Sequence, residues 1–168
     1  GCNTLVSSRE GQIHRITPRR NDAVNDSWMT DSGRALYKRI ESDDRLKTPL
    51  VDQEKSSLED ALNATLSSLR GKSVGIVGSC KSTVEEQYLL NRLAKEAKAK
   101  KYLRGHFGED DGILLSADRT PNLRGALITG LASSYPSDHL NSLSQALKKN
   151  QFETLIVVGE DLIDSKVD

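Results

Sequence analysis

A lysine and a serine stand at the spacing of a phosphate-binding loop in the segment 75–82. Such a loop has the form G-x4-G-K-S/T, and its second glycine turns backbone N–H groups toward the phosphates. Cys80 occupies the position of that glycine, so its β-carbon fills space that the loop needs. Glu160 or Asp161, after a downstream apolar run, could contact magnesium. Two interpretations stay open: a nucleotide-hydrolysing loop, or the first strand-to-helix crossover of a parallel sheet.

Few other residues are suited to chemistry. The chain has two cysteines, Cys2 and Cys80, which do not indicate a disulfide framework. We expect Cys80 to be a small buried apolar side chain rather than a redox centre. The three histidines share no metal-ligand spacing with one another or with acidic residues, and we expect them on the surface or in loops; they are His14, His106 and His139.

Arg119 and Arg124 could bind phosphate, because the paired N–H groups of a guanidinium match the spacing of phosphate oxygens. No glycine-rich loop accompanies them. We therefore expect these arginines to form ion pairs with the acidic run 109–111 or with a neighbouring domain.

The composition predicts an ordinary aliphatic core. Of the 168 residues, 36% are hydrophobic and only 4% are aromatic. The 24 basic and 24 acidic residues cancel, which excludes the electrostatic footprint of a nucleic-acid-binding or membrane-surface protein. No apolar run approaches the roughly 20 residues of a bilayer-spanning helix, and no segment resembles a signal peptide. We expect a reduced, cytoplasmic chain with no nucleic-acid partner and no direct membrane contact.

The first part of the chain predicts a small β-containing module. Two short β-type runs, 4–8 and 12–16, flank a turn at Gly11, which predicts a hairpin. A polar loop follows, and apolar positions at helical spacing predict a helix over 33–40.

The pattern changes near Asp52, where the acidic, serine-rich stretch 52–57 is typical of a linker. We predict two domains, 1–52 and 53–168. Strand and helix signals alternate in the second, which predicts an α/β fold with a Rossmann-like parallel sheet and helices on both of its faces. The predicted strands are 73–78, 112–116 and 154–159. Three of the predicted helices are 58–69, 123–132 and 138–149. A fourth predicted helix is capped by Ser82 or Thr83 and ends near Ala99.

Several runs, in order along most of the chain, resemble one family. Twenty-seven residues separate Cys2 from Thr30, a frame similar to the last two ligands of a C-x2-C-x3-C-x27-C iron–sulfur segment. The further runs are DRLKTPLV at 44–51, LEDAL at 58–62, the β-α unit 73–95 with VEEQYLL, FGEDDGIL at 107–114 and DRTPNLRGA at 118–126. The chain thus resembles the large (G) subunit of NADH-quinone oxidoreductase (respiratory complex I), in the molybdopterin oxidoreductase superfamily.

The resemblance implies an iron–sulfur segment, with Cys2 as third ligand and Thr30 where the fourth is expected. A 4Fe-4S cluster needs four thiolates or close substitutes, and a hydroxyl is a poor ligand for soft iron. Cys2 has three interpretations: survivor of a lost site, ligand whose partners lie upstream, or free thiol. We predict vestigial cluster positions at Cys2 and Thr30, with the 4Fe-4S cofactor lost and no metal, molybdopterin or catalytic residue. We expect Trp28 to hold the loop by packing.

The resemblance also implies a function in electron transfer. We expect a fragment of the complex I large subunit, cut at both ends, that acts as a non-catalytic scaffold. Its partners would be the remaining domains of that subunit and other complex I subunits, which would hold it peripheral to the inner membrane on the cytoplasmic side. Two alternatives are a fragment of a molybdopterin-dependent, formate dehydrogenase-like enzyme, for which no thiol ligand to molybdenum occurs after Cys80, and a P-loop-like NTPase.

Overall fold

A computed structural model describes residues 2–113, 115–135 and 139–163. The chain divides into two units, Gly1–Ala61 and Leu62–Asp168. Its architecture is mixed α/β, with two small antiparallel hairpins and a three-stranded parallel sheet. The predicted α/β class is confirmed at this level, and the boundary predicted between residues 52 and 53 stays a prediction.

Strands β1, Thr4–Arg9, and β2, Gln12–Pro18, form the antiparallel hairpin that the two β-type runs predicted. Glu10 and Gly11 make the turn, with φ angles of 54° and 80°. Positive φ at both central residues is the condition of a type I′ turn, whose twist matches that of paired strands. The sequence therefore sets the hairpin through its turn.

Two short helices follow: α1, Asp31–Arg34, and α2, Leu36–Ile40. The hydroxyl oxygen of Thr30 caps α1 by accepting a hydrogen bond from the backbone N–H of Gly33 at 3.2 Å. The helix predicted over 33–40 is present, but as two pieces that meet at Ala35.

Strands β3, Leu50–Val51, and β4, Glu54–Lys55, form a second small hairpin. Asp52 and Gln53 make its turn with φ angles of 50° and 69°. The stretch predicted as a linker is therefore partly ordered into strand, because two left-handed turn residues bring the flanking residues into register.

Helix α3, Leu58–Leu69, confirms the predicted helical stripe. The hydroxyl oxygen of Ser57 accepts a hydrogen bond from the backbone N–H of Asp60 at 3.1 Å, which satisfies one free donor of the first turn. Leu62 and Leu66 are each 55% exposed. The apolar stripe was correctly predicted, yet its side chains are not buried.

The three-stranded sheet consists of β5, Val74–Ser79, β6, Lys100–Arg104, and β7, Thr154–Val157. Its strand order is β6-β5-β7, and β5 pairs in parallel with both neighbours. Every residue of β5 is buried. The predicted parallel pairing of the apolar runs at 73–78 and 154–159 is confirmed.

Three helices connect these strands: α4, Val84–Glu96, α5, Leu123–Ile128, and α6, His139–Lys148. Thr83 and Glu86 form a capping box at the start of α4, each side chain accepting a hydrogen bond from the backbone N–H of the other. Among the described helices, none combines the length and the apolar character needed to cross a bilayer.

The core of this unit lies where β5 meets α4 and α5. Gly78 of β5 is required there, since a β-carbon at this position would lie 2.8 Å from a side-chain atom of Leu131 and 3.0 Å from one of Leu90. The absence of a side chain lets the helix layer approach the strand closely. The buried cluster is aliphatic, as the composition predicted; it includes Val74, Ile76, Leu90, Ala94, Leu103, Leu123, Ala126 and Leu131.

The strand predicted over 112–116 is wrong for the described residues of that segment, which form bends and irregular structure. The side chain of Asp111 accepts hydrogen bonds from the backbone N–H groups of Ile113 and Leu115, and that of Asp110 accepts one from Gly112. Such local bonds compete with a sheet ladder. The neighbour of β5 is instead β6, which the sequence analysis did not predict.

Candidate functional site

Four polar side chains converge at the carboxyl ends of the three parallel strands. Ser79 ends β5, Lys81 lies in the loop that follows it, His106 comes shortly after β6, and Glu160 comes shortly after β7. Open α/β sheets bind ligands in the crevice outside this edge. This edge is therefore the expected position of a ligand site in this fold.

The carboxylate of Glu160 lies at the centre of this group, with its side chain only 2% exposed. It accepts a hydrogen bond from the hydroxyl of Ser79, lies 2.9 Å from Nε2 of His106, and lies 3.8 Å from Nζ of Lys81. A buried carboxylate is tolerated when hydrogen bonds and opposite charge replace its water. Glu160 thus cross-links the loops that follow all three strands.

The loop after β5 is held by its own short-range bonds. The hydroxyl oxygen of Ser79 accepts a hydrogen bond from the backbone N–H of Lys81 at 2.9 Å, and the carbonyl of Ser79 accepts one from the side-chain amide of Gln87 at 3.1 Å. The same amide donates to the carbonyl of Asn122 at 3.1 Å. Gln87 belongs to α4 and is fully buried, so its two hydrogen bonds attach the loop to that helix.

This geometry bears on the loop's resemblance to a phosphate-binding motif. Cys80 is not among the residues with positive φ, and its side chain is part of the buried apolar cluster. The ammonium of Lys81 pairs with Glu160. Ser79 is fully buried and cannot reach a substrate. Ser79 and Cys80 are therefore enclosed, whereas the side chain of Lys81 is 53% exposed while its ammonium contacts Glu160.

Cys80 was expected to be a small buried apolar residue, and its burial is confirmed. Burial raises the pKa of its thiol to about 11, while a hydrogen bond with Thr120 acts in the opposite direction and the carboxylates of Asp118 and Glu160 add to the increase. The thiol is therefore protonated at neutral pH, and a protonated thiol is a poor nucleophile and metal ligand.

Arg119 contacts the acidic run 109–111 through a backbone carbonyl. Arg119 donates from Nη2 to the backbone carbonyl of Glu109 at 2.5 Å, and not to a carboxylate. Among the described residues, no ion pair joins Arg119 or Arg124 to Glu109 or Asp110. Arg119 thus closes the loop between β6 and α5 by bonding to a backbone carbonyl, and the predicted ion pairs of the two arginines, with the run 109–111 or with a neighbouring domain, stay a prediction.

In the N-terminal unit the central polar residue is Asn25, which the sequence analysis did not single out. Its Oδ1 accepts a hydrogen bond from the backbone N–H of Asn3 at 3.0 Å, and its Nδ2 donates to the carbonyls of Arg19 and Trp28 at 3.3 and 3.1 Å. One amide side chain thus joins the start of β1 to the loop after β2. The run Asn25-Asp26-Ser27 carried only a turn signal.

The predicted cluster positions lie in this unit. Cys2 is exposed, and the hydroxyl of Thr30 is engaged as the cap of α1 and as acceptor from Ser32 Oγ at 3.1 Å. Trp28 is 70% exposed. The expectation that Trp28 holds the loop by packing is wrong, since Asn25 holds it through hydrogen bonds.

The residues of this unit match a family model. Residues 1–38 match the 4Fe-4S domain of the NADH-ubiquinone oxidoreductase NDSU1/NuoG-like family. This match covers the hairpin, the loop bound by Asn25, helix α1 and the first three residues of α2. The family match thus independently gives the iron–sulfur type of segment that the spacing of Cys2 and Thr30 indicated.

Curated relatives extend the similarity beyond that segment. The chain is 35% identical over 94 residues, 55% of its length, to the G subunit of NADH-quinone oxidoreductase from Pseudomonas fluorescens. It is 35% identical over 105 residues to subunit 3 of the same enzyme from Thermus thermophilus and 31% identical over 105 residues to the G subunit from Streptomyces coelicolor, 58% of the chain in each case. The matched regions make up 10%, 13% and 12% of these relatives, so the chain spans about a tenth of their length. The resemblance predicted from the sequence is confirmed.

The family match also corrects one prediction. The sequence analysis predicted no cofactor and a lost 4Fe-4S cluster, but the model that matches residues 1–38 is that of a 4Fe-4S domain. The finding points to an iron–sulfur family for this segment. The earlier inference gave too much weight to the threonine at position 30, because a single ligand position does not define the family's cofactor.

The donor groups of this chain do not by themselves complete such a cluster. Cys2 is the one thiol within residues 1–38, and Thr30 already serves as a helix cap. Across the described residues, no three histidine, cysteine or acidic side chains group together in a way that could hold a metal ion. These residues alone therefore do not supply the four ligands of a 4Fe-4S cluster.

Proposed function

We propose that this chain is a segment of the large subunit of NADH-quinone oxidoreductase and supports electron transfer in complex I as a structural scaffold. The observation that carries the proposal is the match of residues 1–38 to the NuoG-like 4Fe-4S domain. The similarity to the G subunits of two bacterial enzymes over more than half of the chain supports it.

Within this proposal, residues 1–52 are the iron–sulfur-type module and residues 53–168 are a Rossmann-like domain with helices on both faces of its sheet. Cys2 and Thr30 stand at the family's cluster-ligand positions. The type I′ hairpin and the Asn25 hydrogen bonds support a rigid module, since electron-transfer centres must be held at fixed positions.

The scaffold role of the sheet domain is supported by the carboxyl edge of its sheet. In open α/β folds this crevice is the usual ligand site, but here the buried carboxylate of Glu160 fills it with bonds to Ser79 and His106. The ammonium of Lys81 contacts this carboxylate, so the cation that would bind the phosphates of a nucleotide or of a molybdopterin cofactor already has a partner. No observation favours the dehydrogenase or the NTPase alternative.

The proposed partners are the remaining domains of the large subunit and other complex I subunits, which would place the segment on the cytoplasmic side, peripheral to the inner membrane. Exposed apolar side chains support this. Tyr88 and Leu89 of α4 are 51% and 58% exposed, and Ile128 of α5 is 84% exposed. Together with Val84 they line a shallow apolar depression of about 530 Å³. Contiguous exposed apolar surface marks interaction sites.

A binding experiment tests the proposal. The tagged chain is mixed with the remaining domains of the large subunit from the same source, and we expect the two to co-elute in size-exclusion chromatography. Leu89→Asp should weaken this association by about tenfold or more, because it places a charge in the apolar depression. Asn63→Asp, a change of the same charge at an exposed position of α3, is the matched control and should bind as the unmodified chain does.

Two results would reject the scaffold proposal. One is a chain that does not associate with these domains at micromolar concentration. The other is a chain that alone oxidises NADH or formate, since a scaffold requires the complete complex for turnover.

A further inference from the structure

The N-terminal hairpin has only two strands, so each strand has an outer edge. Thr4 of β1 lies opposite Pro18 of β2, and proline has no backbone N–H to donate. One position earlier, the carbonyl of Asn3 accepts a hydrogen bond from the N–H of Arg19 at 2.9 Å. Hydrogen-bonded and non-hydrogen-bonded positions alternate in an antiparallel ladder. The backbone N–H and C=O groups of Thr4 therefore point away from β2, and so do those of Val6.

The outer edge of β2 is blocked at each corresponding position. The N–H of Ile13 donates to a carboxylate oxygen of Glu41 at 2.8 Å. Ile16 is buried, at 7% exposure, and Pro18 offers no donor. Natural sheets protect free edges by covering them or by removing their donors. The edge of β2 is protected in both ways.

The outer edge of β1 has no such protection. All six residues of β1 are exposed, and the run 4–8, TLVSS, contains neither a charge nor a proline. Among the described residues, no hydrogen-bond partner is found for the outward backbone groups of Thr4 or Val6. An unprotected, uncharged edge strand of this kind is a template for an added strand.

We propose that the outer edge of β1 pairs with an extended strand from another part of the large subunit, through the backbone groups of Thr4 and Val6. The added strand needs small or β-branched, uncharged residues beside Leu5 and Val6, because their exposed side chains flank the edge. Only one part of this inference rests on the proposed function, namely that the added strand comes from the large subunit. The geometry of the edge is independent of it.

Amide hydrogen exchange tests the inference at single residues. The chain alone is compared with the full-length large subunit, and the exchange rates of the Val6 and Leu5 amides are measured in both. The outward N–H of Val6 should exchange quickly in the chain alone and at least about tenfold more slowly in the full subunit. Leu5, whose N–H points to β2, is the internal control and should be protected in both.

Val6→Pro provides a second test, because it removes the outward N–H at a position where an edge strand tolerates proline. The variant chain should keep its hairpin, seen as retained protection of Leu5. In the full subunit, Val6→Pro should increase exchange in the pairing strand at least about fivefold, whereas Val6→Thr, which keeps the N–H, should leave it unchanged.

The outcomes separate this inference from the proposed function. A subunit that assembles with its complex I partners while the Val6 amide exchanges as quickly as in the chain alone overturns the inference and leaves the proposed function intact. Protection of Val6 in a subunit that does not assemble with complex I supports the strand and rejects the function. If the Val6 amide is protected in the chain alone, and more so at higher protein concentration, a second copy of the chain pairs with the outer edge of β1. This result would contradict the large subunit as the source of the strand.

Discussion

The carboxylate of Glu160 lies 2.9 Å from Nε2 of His106, although 54 positions separate the two residues in the sequence. The same carboxylate accepts a hydrogen bond from Ser79, 81 positions away. The contact exists because β5 lies between β6 and β7, so the loops after the two outer strands approach each other across its carboxyl end. One buried side chain therefore fixes the relative positions of three loops.

Glu160→Gln should lower the free energy of unfolding of this unit by about 2 kcal/mol, because it weakens the hydrogen bonds of a buried carboxylate to Ser79 and His106 and removes its ion pair with Lys81. The measurement is urea denaturation followed by circular dichroism. Glu85→Gln, at an exposed position of α4, is the control and should change stability by no more than about 0.5 kcal/mol. Equal stabilities of the two variants would contradict the cross-link.

Cys80 should make stability depend on pH in the alkaline range. Its folded-state pKa is raised from 9.0 to about 11, chiefly by burial, so above pH 9 the unfolded chain loses the thiol proton more readily than the folded chain does. The contribution of Cys80 is complete below pH 9 and is lost as the pH rises to about 11. Subtracting the denaturation profile of Cys80→Ala from that of the unmodified chain isolates this effect. A difference that is flat across the range would show the prediction to be wrong.

Val77→Ala and Val157→Ala form a matched pair in neighbouring strands. Val77 is fully buried, whereas Val157 is 37% exposed. Removing two methyl groups should cost about 1 to 3 kcal/mol at Val77 and less than about 1 kcal/mol at Val157. Thermal or urea unfolding measures both; a larger loss at Val157 would contradict the deeper burial of Val77 in the central strand.

Asn25→Ala should loosen the loop after β2, because it removes the bonds to Asn3, Arg19 and Trp28. We expect a cost of about 1 to 2 kcal/mol and faster proteolytic cleavage within 20–28. Trp28→Ala should change stability by about 0.5 kcal/mol or less, since the indole is exposed. The reverse order of effects would restore Trp28 as the residue that holds the loop.

The loop at Lys81 should show no measurable affinity for magnesium ATP in calorimetric titration. The ammonium of Lys81 is paired with Glu160, and the side chain of Cys80 occupies the core rather than the glycine conformation that a phosphate loop needs. Micromolar binding that Lys81→Ala abolishes would contradict this account.

Local sequence signals predicted the elements that depend on local chemistry. The turn at Glu10 and Gly11 specified the first hairpin, and the apolar runs identified β5 and β7. Strand β6, KKYLR, was missed because three of its five residues are basic, so it lacks the apolar run of a buried strand. Its place in the sheet is decided by pairing with β5, which no local pattern reports.

The candidate site was less predictable than the fold. Glu160 was noted only as a possible magnesium contact, and His106 only as a loop residue. Their contact with each other and with Ser79 depends on the strand order, and a sequence does not display that order. Asn25 was missed for a related reason, since its partners Asn3 and Arg19 are brought near by the hairpin.

The pairing of β5 with β7 also determines how this unit reaches its native state. Val74 pairs with Thr154, so the chain must close a loop of about 80 residues before this ladder gains any hydrogen bond, whereas β5, α4 and β6 are consecutive in the sequence. The entropy of loop closure grows with loop length, and non-local pairing slows folding. We therefore expect β5, α4 and β6 to associate first. The docking of β7, and with it the entry of Glu160 into the site, should be the late and rate-limiting event.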